Sequence, residues 1–215
     1  MAGFFLRGAF IAFQETFLAP VPNVIVFQFN PDTMTHGWTQ SAAGEDQLGQ
    51  NPLAVKDDPT ESFSFDLAMD ARDMIADGSI VQQGLAAASG VYTRIAALEM
   101  LQFPVSSASA ADGKTAVKTQ QVPTVLFVWG PGRIVPVRIT ELSITEKLYD
   151  TLLNPIQAQA RVGLRVIKKS ELESLTGPLK EIAKTAYSYS KGQRQIFAGL
   201  NLANAVEGAI GMLPI

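Results

Sequence analysis

Residues 154–166 read NPIQAQARVGLRV, and the fold follows from this stretch. After Asn154-Pro155, apolar or small side chains alternate with mostly polar ones from Ile156 to Val166. Strict alternation indicates a β-strand with one buried face, and eleven residues is about twice the usual strand length. The positions on the opposite face are Gln157, Gln159, Arg161, Gly163 and Arg165. The stretch therefore predicts a long strand whose glutamine- and arginine-rich face meets water.

A second extended segment precedes this strand and predicts a long hairpin with it. Val122–Trp129 is a strongly apolar strand that ends at a Gly-Pro-Gly turn, residues 130–132, and the chain then continues extended. The apolar parity changes after Thr140, which predicts a β-bulge near Thr140 or Glu141, because one extra residue turns every later side chain to the other face. Pro136 cannot donate to a ladder, so an incomplete ladder is predicted there, as at a sheet edge.

The first half of the chain contains three further strand signals. They cover Leu6 to Phe13, Val24 to Phe29 and Ser62 to Met69, the last with Phe63, Phe65, Leu67 and Met69 on its apolar face. Asn30-Pro31-Asp32 follows the second strand directly, and proline restricts both itself and the residue before it, so a strand end and a turn are predicted. Residues 40–60 and 106–118 are rich in small and polar residues and are predicted to be long loops.

Two stretches change to helical spacing. Ile80 to Leu101 carries apolar residues at helical intervals, with a break predicted at Ser89-Gly90. Ser170-Glu171-Leu172-Glu173 has the form of a capping box and predicts the start of a helical tail. Gly177-Pro178 is predicted to interrupt that tail.

Together these signals predict an α+β protein that is mainly β. A β-rich body covers residues 1–169, and a helical or irregular C-terminal extension covers residues 170–215. Charged residues make up only 17% of the chain, below the usual quarter, which suggests that other copies of the chain cover part of the surface. No stretch approaches the ~20 apolar residues of a membrane span, so we expect no membrane insertion.

Composition argues against most catalytic and metal chemistry. There is no cysteine, which removes disulfides, thiolate metal sites and cysteine nucleophiles, and His36 is the single histidine. The net charge is −3, with scattered Lys and Arg, so no basic stripe for nucleic acid is present. Asp66, Asp70 and Asp73 are not accompanied by a glycine-rich phosphate loop. We therefore expect neither an enzyme nor a cofactor.

Two single residues invite closer interpretation. His36, two residues before Trp38, is interpreted as a loop residue rather than as part of a catalytic triad. Trp129 lies at the end of an apolar strand, just before a turn. It is either a lid on the core or a contact at a subunit boundary, where Trp is enriched.

Five motifs, in this order, carry a resemblance to a known family. They are Phe27-Gln28-Phe29-Asn30-Pro31-Asp32, Phe63-Ser64-Phe65-Asp66-Leu67, Pro123-Thr124-Val125-Leu126-Phe127-Val128-Trp129-Gly130, Val137 to Glu146, and Leu153-Asn154-Pro155-Ile156. Over residues 4–168 the chain resembles the tube-protein-related baseplate components of phage-tail-like contractile injection systems. Relatives in that family include tube-initiator proteins that carry a C-terminal LysM domain. No LysM signature follows residue 170, so a role of that domain is not carried over.

The resemblance implies a split antiparallel β-barrel of tail-tube type with a packed helix. It implies that six copies form a ring between the spike-bearing hub and the first layer of the inner tube, where the ring is the template for tube assembly. The implied partners are the spike or hub protein, the inner-tube protein, and sheath or baseplate wedge proteins. The implied place of assembly is the bacterial cytoplasm, in a particle that is either released or anchored to a membrane such as a thylakoid.

Open barrel edges suggest how such copies would join. Joining each edge to the next copy's edge satisfies the unpaired backbone groups, and a rotation that closes makes a ring. Asn30-Pro31 would end a strand so that residues 32–60 extend toward a neighbouring ring, and the long polar strand face would line the lumen. The candidate inter-subunit and lumen positions are Asn30, Pro31, Trp129, Gln157, Gln159, Arg161 and Arg165. Two alternatives stay open: a bulk inner-tube protein of the same machine and, in a different class, a small-molecule-binding β-barrel.

Overall fold

The computed structural model describes residues 6–13, 22–40, 53–55, 57–106, 120–175 and 179–210. In chain order its elements are β1 (Ala9–Phe13), β2 (Pro22–Val26), β3 (Met34–Thr39), β4 (Thr60–Asp70), α1 (Ala71–Asp77), α2 (Ile80–Ser89), α3 (Tyr92–Glu99), β5 (Val105–Ser106), β6 (Gln120–Gln121), β7 (Thr124–Val128), β8 (Ile134–Tyr149), β9 (Pro155–Val166), α4 (Lys169–Glu173) and α5 (Leu179–Ile210). Most of the two predicted loops and the predicted break at Gly177-Pro178 lie outside the described residues.

Seven strands form one antiparallel sheet in the order β2-β1-β7-β8-β9-β4-β3, and β5 pairs only with β6. The prediction of a mainly β, α+β fold is therefore confirmed. The predicted hairpin is β8–β9, and its bulge falls between Ile139 and Glu141, as the change of parity indicated. Gly163 faces this bulge, where an added Cβ would lie 3.0 Å from the Cβ of Glu141. A glycine in the long strand therefore lets the bulged strand approach closely.

Pro136 does not lie at a sheet edge, so that part of the prediction was wrong. β8 lies between β7 and β9 in the sheet. Pro136 pairs with Leu126 of β7, and its carbonyl oxygen accepts a hydrogen bond of 2.9 Å from the N–H of Ile167, one residue past the end of β9. The proline is tolerated in an interior strand because it stands where the β9 ladder is ending.

The sheet is strongly curled. β2 and β3 stand at opposite ends of the strand order, yet only residues 27–33 connect them. The ring of Phe27, which directly follows β2, lies 5.8 Å from the ring of Phe65 in β4, although four strands separate β2 from β4. A flat sheet would hold these two strands about 24 Å apart at about 4.8 Å per strand. The curl therefore brings the two ends of the sheet together.

Gln28 bridges the two ends of the curled sheet. Its Nε2 donates to the carbonyl oxygen of Asp70 at 2.7 Å, and its Oε1 accepts from the N–H of Asp70 at 3.1 Å. The side-chain amide thus satisfies both backbone groups at the end of β4, as a neighbouring strand would.

A single core of apolar side chains fills the concave face of the sheet. Phe10, Phe63 and Phe127 are fully buried at its centre, and the predicted apolar faces of β4 and β9 both point into it. Helices α1, α2 and α3 contribute further buried residues to the same cluster, which are Ala71, Met74, Ala86, Val91, Ile95 and Leu98. The aromatic rings and the three helices close the concave side from water.

The predicted helix over residues 80–101 is divided at Gly90, as the sequence indicated. Gly90 has φ +58°, and an added Cβ would lie 2.1 Å from the carbonyl oxygen of Pro155. The same oxygen accepts a 2.8 Å hydrogen bond from the N–H of Val91. The break is therefore the point at which the helical layer contacts the start of β9.

Helix α1 was not foreseen in the sequence. Asp70, which was expected in a connecting segment, caps this helix by accepting from the N–H of Arg72 at 2.9 Å.

The tail also begins differently from the prediction. Ser170 is not the cap of α4; the carboxylate of Glu171 accepts from the N–H of Lys168 at 2.9 Å, and the hydroxyl of Ser170 donates to Asp57 at 2.6 Å.

Helix α5 crosses the end of the sheet at which β4 and β8 begin. The hydroxyl of Ser190 in α5 accepts from the N–H of Ile134 at 2.9 Å and donates to the carbonyl oxygen of Ile134 at 2.6 Å. Ala183 and Ala186, also in α5, are buried. Contacts therefore cross the predicted boundary at residue 170. The independence of residues 1–169 as a folding unit stays a prediction.

Candidate functional site

A continuous polar surface covers the outer face of β4, β9 and the distal half of β8. Strand register aligns its side chains in rows of three, namely Asp66–Arg161–Ser143, Ala68–Gln159–Thr145, Ser64–Gly163–Glu141 and Asp70–Gln157–Lys147. Most of these positions are exposed or half-buried, while the alternate residues of β9 are buried. The prediction that this strand presents a polar face to water is confirmed. We call this surface the polar face.

The polar face carries charges of both signs. The Nε of Arg161 lies 3.3 Å from Oδ1 of Asp66, and the two side chains are 62% and 41% exposed. Exposed pairs of this kind contribute about 0–1 kcal/mol, because water and salt screen them. The face is thus a hydrated surface of mixed charge rather than a site that binds one ligand tightly.

Two of the predicted lumen residues are held within the chain. Arg165 donates twice to the carboxylate of Glu171, at 2.8 Å to each oxygen, and so attaches α4 to β9. The Nε2 of Gln157 donates to Oδ2 of Asp70 at 2.5 Å. The Arg72 guanidinium, which is also bound to Asp70, lowers the pKa of that carboxyl to about 2. Gln159 and Arg161 are the predicted lumen residues that remain exposed on the polar face.

Asn30 completes the β1–β2 pairing with its side chain. Its Oδ1 accepts from the N–H of Gly8 at 2.8 Å, and its Nδ2 donates to the carbonyl oxygen of Leu6 at 2.9 Å. Residues 34–39 do not leave the sheet, as had been expected, because they return as β3 and pair with β4. Residues 41–52 of the same prediction lie outside the described residues. The curl of the sheet places the end of β2 close enough to β4 for this short return.

Trp129 and Pro31 are both half-buried. The ring of Trp129 lies 6.5 Å from that of Phe27 and 6.1 Å from that of Phe127, between centroids. These contacts fit a lid on the core, and a role at a subunit boundary stays a prediction for both residues.

A buried charged cluster, which sequence reasoning missed, attaches α5 to the sheet. The side chain of Glu61 is only 3% exposed and is bound by the guanidinium of Arg194 and, at 2.9 Å, by Nε2 of His36. His36 was expected in a loop, but it lies in β3 with its ring stacked 4.5 Å from that of Phe63. The guanidinium of Arg194 also lies 4.9 Å from the ring centre of Trp38. Glu61 and Phe63 are two residues apart in β4, so their side chains point to the same face of the sheet. This alternation could have predicted that Glu61 points inward.

Asp58 forms a second attachment point for α5. Lys191 lies 3.1 Å from Asp58 and lowers the pKa of that carboxyl. The hydroxyl of Tyr187 donates to Asp58 at 2.9 Å, and burial together with this bond raises the pKa of Tyr187 to about 12. The two attachment points fix the helix between residues 187 and 194.

The described sheet has several open backbone edges. β7 pairs with β8 only up to Val137, so the described part of β8 beyond that residue pairs with β9 alone. β2 and β3 are the edge strands of the sheet. The guanidinium of Arg94 donates to the carbonyl oxygen of Val26 at 2.9 Å and so occupies part of the β2 edge. Open edges of this kind accept strands from other chains.

Within the part of the chain that the structure describes, no group of three or more His, Asp or Glu residues is placed to hold a metal ion. In the same ranges, no helix is both long enough and apolar enough to cross a membrane. No protein-family model matches this chain, and a search of curated proteins finds no match either.

Proposed function

We propose that this protein is a structural ring component of a phage-tail-like contractile injection system. In this proposal the curled sheet is a split antiparallel β-barrel of tail-tube type, and six copies form a ring at the baseplate. The ring joins the spike or hub to the inner tube and is the template on which tube rings stack. The particle is assembled in the bacterial cytoplasm.

The polar face is the observation that carries this proposal. A lumen through which cargo passes needs a wetted wall that holds nothing tightly, and exposed side chains of both signs provide one. The wall belongs to a three-stranded surface made of β4, β9 and β8, and the distal part of β8 has an open edge. Strand addition at that edge would continue the same wall into the next copy.

The sheet curl supports the split-barrel part of the proposal. Its two ends are bridged by the side chain of Gln28 rather than by a ladder between β2 and β3 in the described residues. A barrel closed by a side chain keeps its strand edges available for neighbours, whereas a fully hydrogen-bonded barrel has none.

The packed interior argues against the alternative of a small-molecule-binding barrel. Such a barrel needs an open apolar cavity. Here Phe10, Phe63 and Phe127 occupy the centre of the concave face, and the ring centroid of Phe127 lies 5.9 Å from that of Phe10 and 5.4 Å from that of Phe63. Their side chains are fully buried.

The first test is the assembly state of the purified full chain. We expect light scattering to give six times the 23.1 kDa chain mass and negative-stain images to show rings with a central opening. Rings that stack without limit into long tubes would favour the bulk inner-tube protein. A stable monomer at micromolar concentration that takes up an apolar dye into its interior would refute the ring and support the binding barrel.

A further inference from the structure

The distal part of α5 projects away from its own sheet. Arg194 makes the last described contact, with Glu61 and Trp38, and the helix continues to Ile210. We call residues 195–210 the distal arm; at about 1.5 Å per residue it is about 24 Å long. Residues 195–201 are all exposed, so the sheet that α5 has just crossed does not cover this part of the distal arm.

The distal arm carries apolar side chains that its own chain does not cover. Ile196, Phe197 and Leu200 are 58%, 61% and 58% exposed, and Glu207 is the single charged residue between residues 195 and 210. A helix segment with so little charge and so much open apolar surface requires a cover.

The outer face of the sheet has an uncovered apolar area at β2. Val24 and Val26 of β2 are 51% and 42% exposed, and Val24 is in register with Ile11 of β1, which in turn pairs with Leu126 of β7. We call Ile11, Val24 and Val26 the open apolar face. Two neighbouring strands are about 10 Å wide, which is the diameter of one α-helix.

A groove continues the open apolar face toward α5. It has a volume of about 480 Å³. Leu126 and Ile134 of the sheet line it, and the proximal part of α5 adds Ile182, Ala186 and Tyr189 together with the polar side chains of Glu181 and Thr185. A helix in this position would therefore pack on the sheet and against α5 at the same time.

We infer that the distal arm of one copy covers the open apolar face of the next copy. Each chain has one arm and one face, so the arm can pass from copy to copy in one direction, which closes into a ring when the rotation allows it, or two copies can exchange arms as a dimer. Closure into six copies rests on the proposed function, whereas the arm contact itself does not. The low charge of the arm matches the apolar residues of the face, which favours a second copy over a charged partner.

The absence of cysteine makes a direct test clean. Two full-length variants, Leu200→Cys in the arm and Val24→Cys on the face, are mixed under conditions that exchange subunits and treated with a short bis-maleimide. We expect a cross-linked product that contains one chain of each variant. The matched control replaces Val24→Cys by Gln159→Cys, an exposed position on the polar face, and should give at least tenfold less product.

Each outcome decides the inference separately from the ring. Six-copy rings without the mixed cross-link would overturn the arm contact and leave the proposed function standing. The mixed cross-link in dimers or open filaments would uphold the arm contact and refute the ring. Protection of the Leu200→Cys thiol by phosphatidylcholine vesicles, without cross-linking between copies, would overturn the arm contact in favour of a lipid surface.

A charge placed in the arm provides a second test that does not depend on cross-linking chemistry. The double variant Ile196→Asp/Phe197→Asp should shift the assembly midpoint at least tenfold toward higher protein concentration. Its far-ultraviolet circular dichroism should stay unchanged, because both side chains are more than half exposed in their own chain. An assembly midpoint equal to that of the parent chain would contradict the inference.

Discussion

Replacing Arg194 by methionine tests whether the buried carboxylate of Glu61 depends on its cation. Methionine keeps most of the aliphatic stem of Arg194 and removes only the guanidinium. The carboxylate, 3% exposed, would then retain His36 at 2.9 Å as its remaining partner in the described structure. The change therefore isolates a charge left without its main partner in the interior.

The expected cost follows from the burial of the pair. Removing one partner from a fully buried ion pair costs about 3–5 kcal/mol. The side chain of Arg194 is 36% exposed, so water screens part of the interaction, and His36 compensates for another part. Loss of the contact with Trp38 adds about 0.5–1 kcal/mol. We expect the free energy of unfolding to fall by about 2–3 kcal/mol.

Urea unfolding of the full chain, followed by circular dichroism, measures this cost. It is repeated at several protein concentrations, because assembly contributes to apparent stability. Lys191→Met is the matched control, since it breaks the more exposed pair with Asp58 and should cost about 1 kcal/mol or less. The double variant Arg194→Met/Glu61→Gln should recover at least half of the loss, because a neutral amide no longer requires the cation.

Two results would refute the reasoning. The first is a loss for Arg194→Met no larger than that for Lys191→Met. The second is a double variant whose loss equals the sum of the two single losses, which would mean that Glu61 and Arg194 are not coupled.

Three further predictions concern the helix break, the polar face and acid stability. Gly90→Ala should lower the free energy of unfolding, measured in urea, by at least about 2 kcal/mol, because residue 90 has a positive φ and its added Cβ would clash with the carbonyl oxygen of Pro155. The matched control in a helix is Gly84→Ala, whose added Cβ has no atom within 4 Å. It should raise the free energy of unfolding by about 0.5–1 kcal/mol. Arg161→Glu should change the thermal midpoint of the chain by less than about 2 °C but alter the stacking of the proposed rings in electron micrographs. The control Arg161→Gln should leave the stacking closer to that of the parent chain. If either variant is unfolded, Arg161 is a buried partner of other residues in the chain and not a lumen residue. Asp70 has a pKa lowered from 3.8 to about 2, so its contribution to stability is present above about pH 4 and is lost as the pH falls toward 2. Asp70→Asn should make the urea midpoint depend less on pH between about pH 4 and pH 2. A pH dependence equal to that of the parent chain would contradict the role given to Asp70.

Most of the strands were predictable because their signals are local, but β3 was missed and its His36 was expected in a loop. Alternation assigned the buried and exposed faces of β4 and β9, and the change of parity after Thr140 located the bulge. Gly90 was likewise readable as a helix break, since glycine tolerates a positive φ that other residues resist. The prediction from Pro136 was wrong because a proline, which has no backbone N–H, fits either a sheet edge or the end of a neighbouring strand's ladder. Only the order of the strands in the sheet distinguishes these two cases.

The candidate site was predictable in part. The polar row of β9 follows from alternation alone, and Gln159 and Arg161 are exposed as expected. The attachment of Arg165 to Glu171 and of Gln157 to Asp70 was not foreseen, because side-chain partners depend on neighbouring elements. The role of His36 was missed for the same reason, since its partner Glu61 lies 25 residues away.

Alternation in the sequence was enough to assign the core-facing residues of β4 and β9, and local signals located the bulge of the long hairpin and the break in the helical layer. These properties depend on the side-chain period and on the backbone preferences of single residues. Two features are visible only in the folded protein. The sheet curls until Gln28 reaches Asp70, and α5 is attached to β4 through Arg194 and Glu61, 133 residues apart. Pairing between residues so distant in the chain depends on the packing of the whole core, which no local pattern encodes.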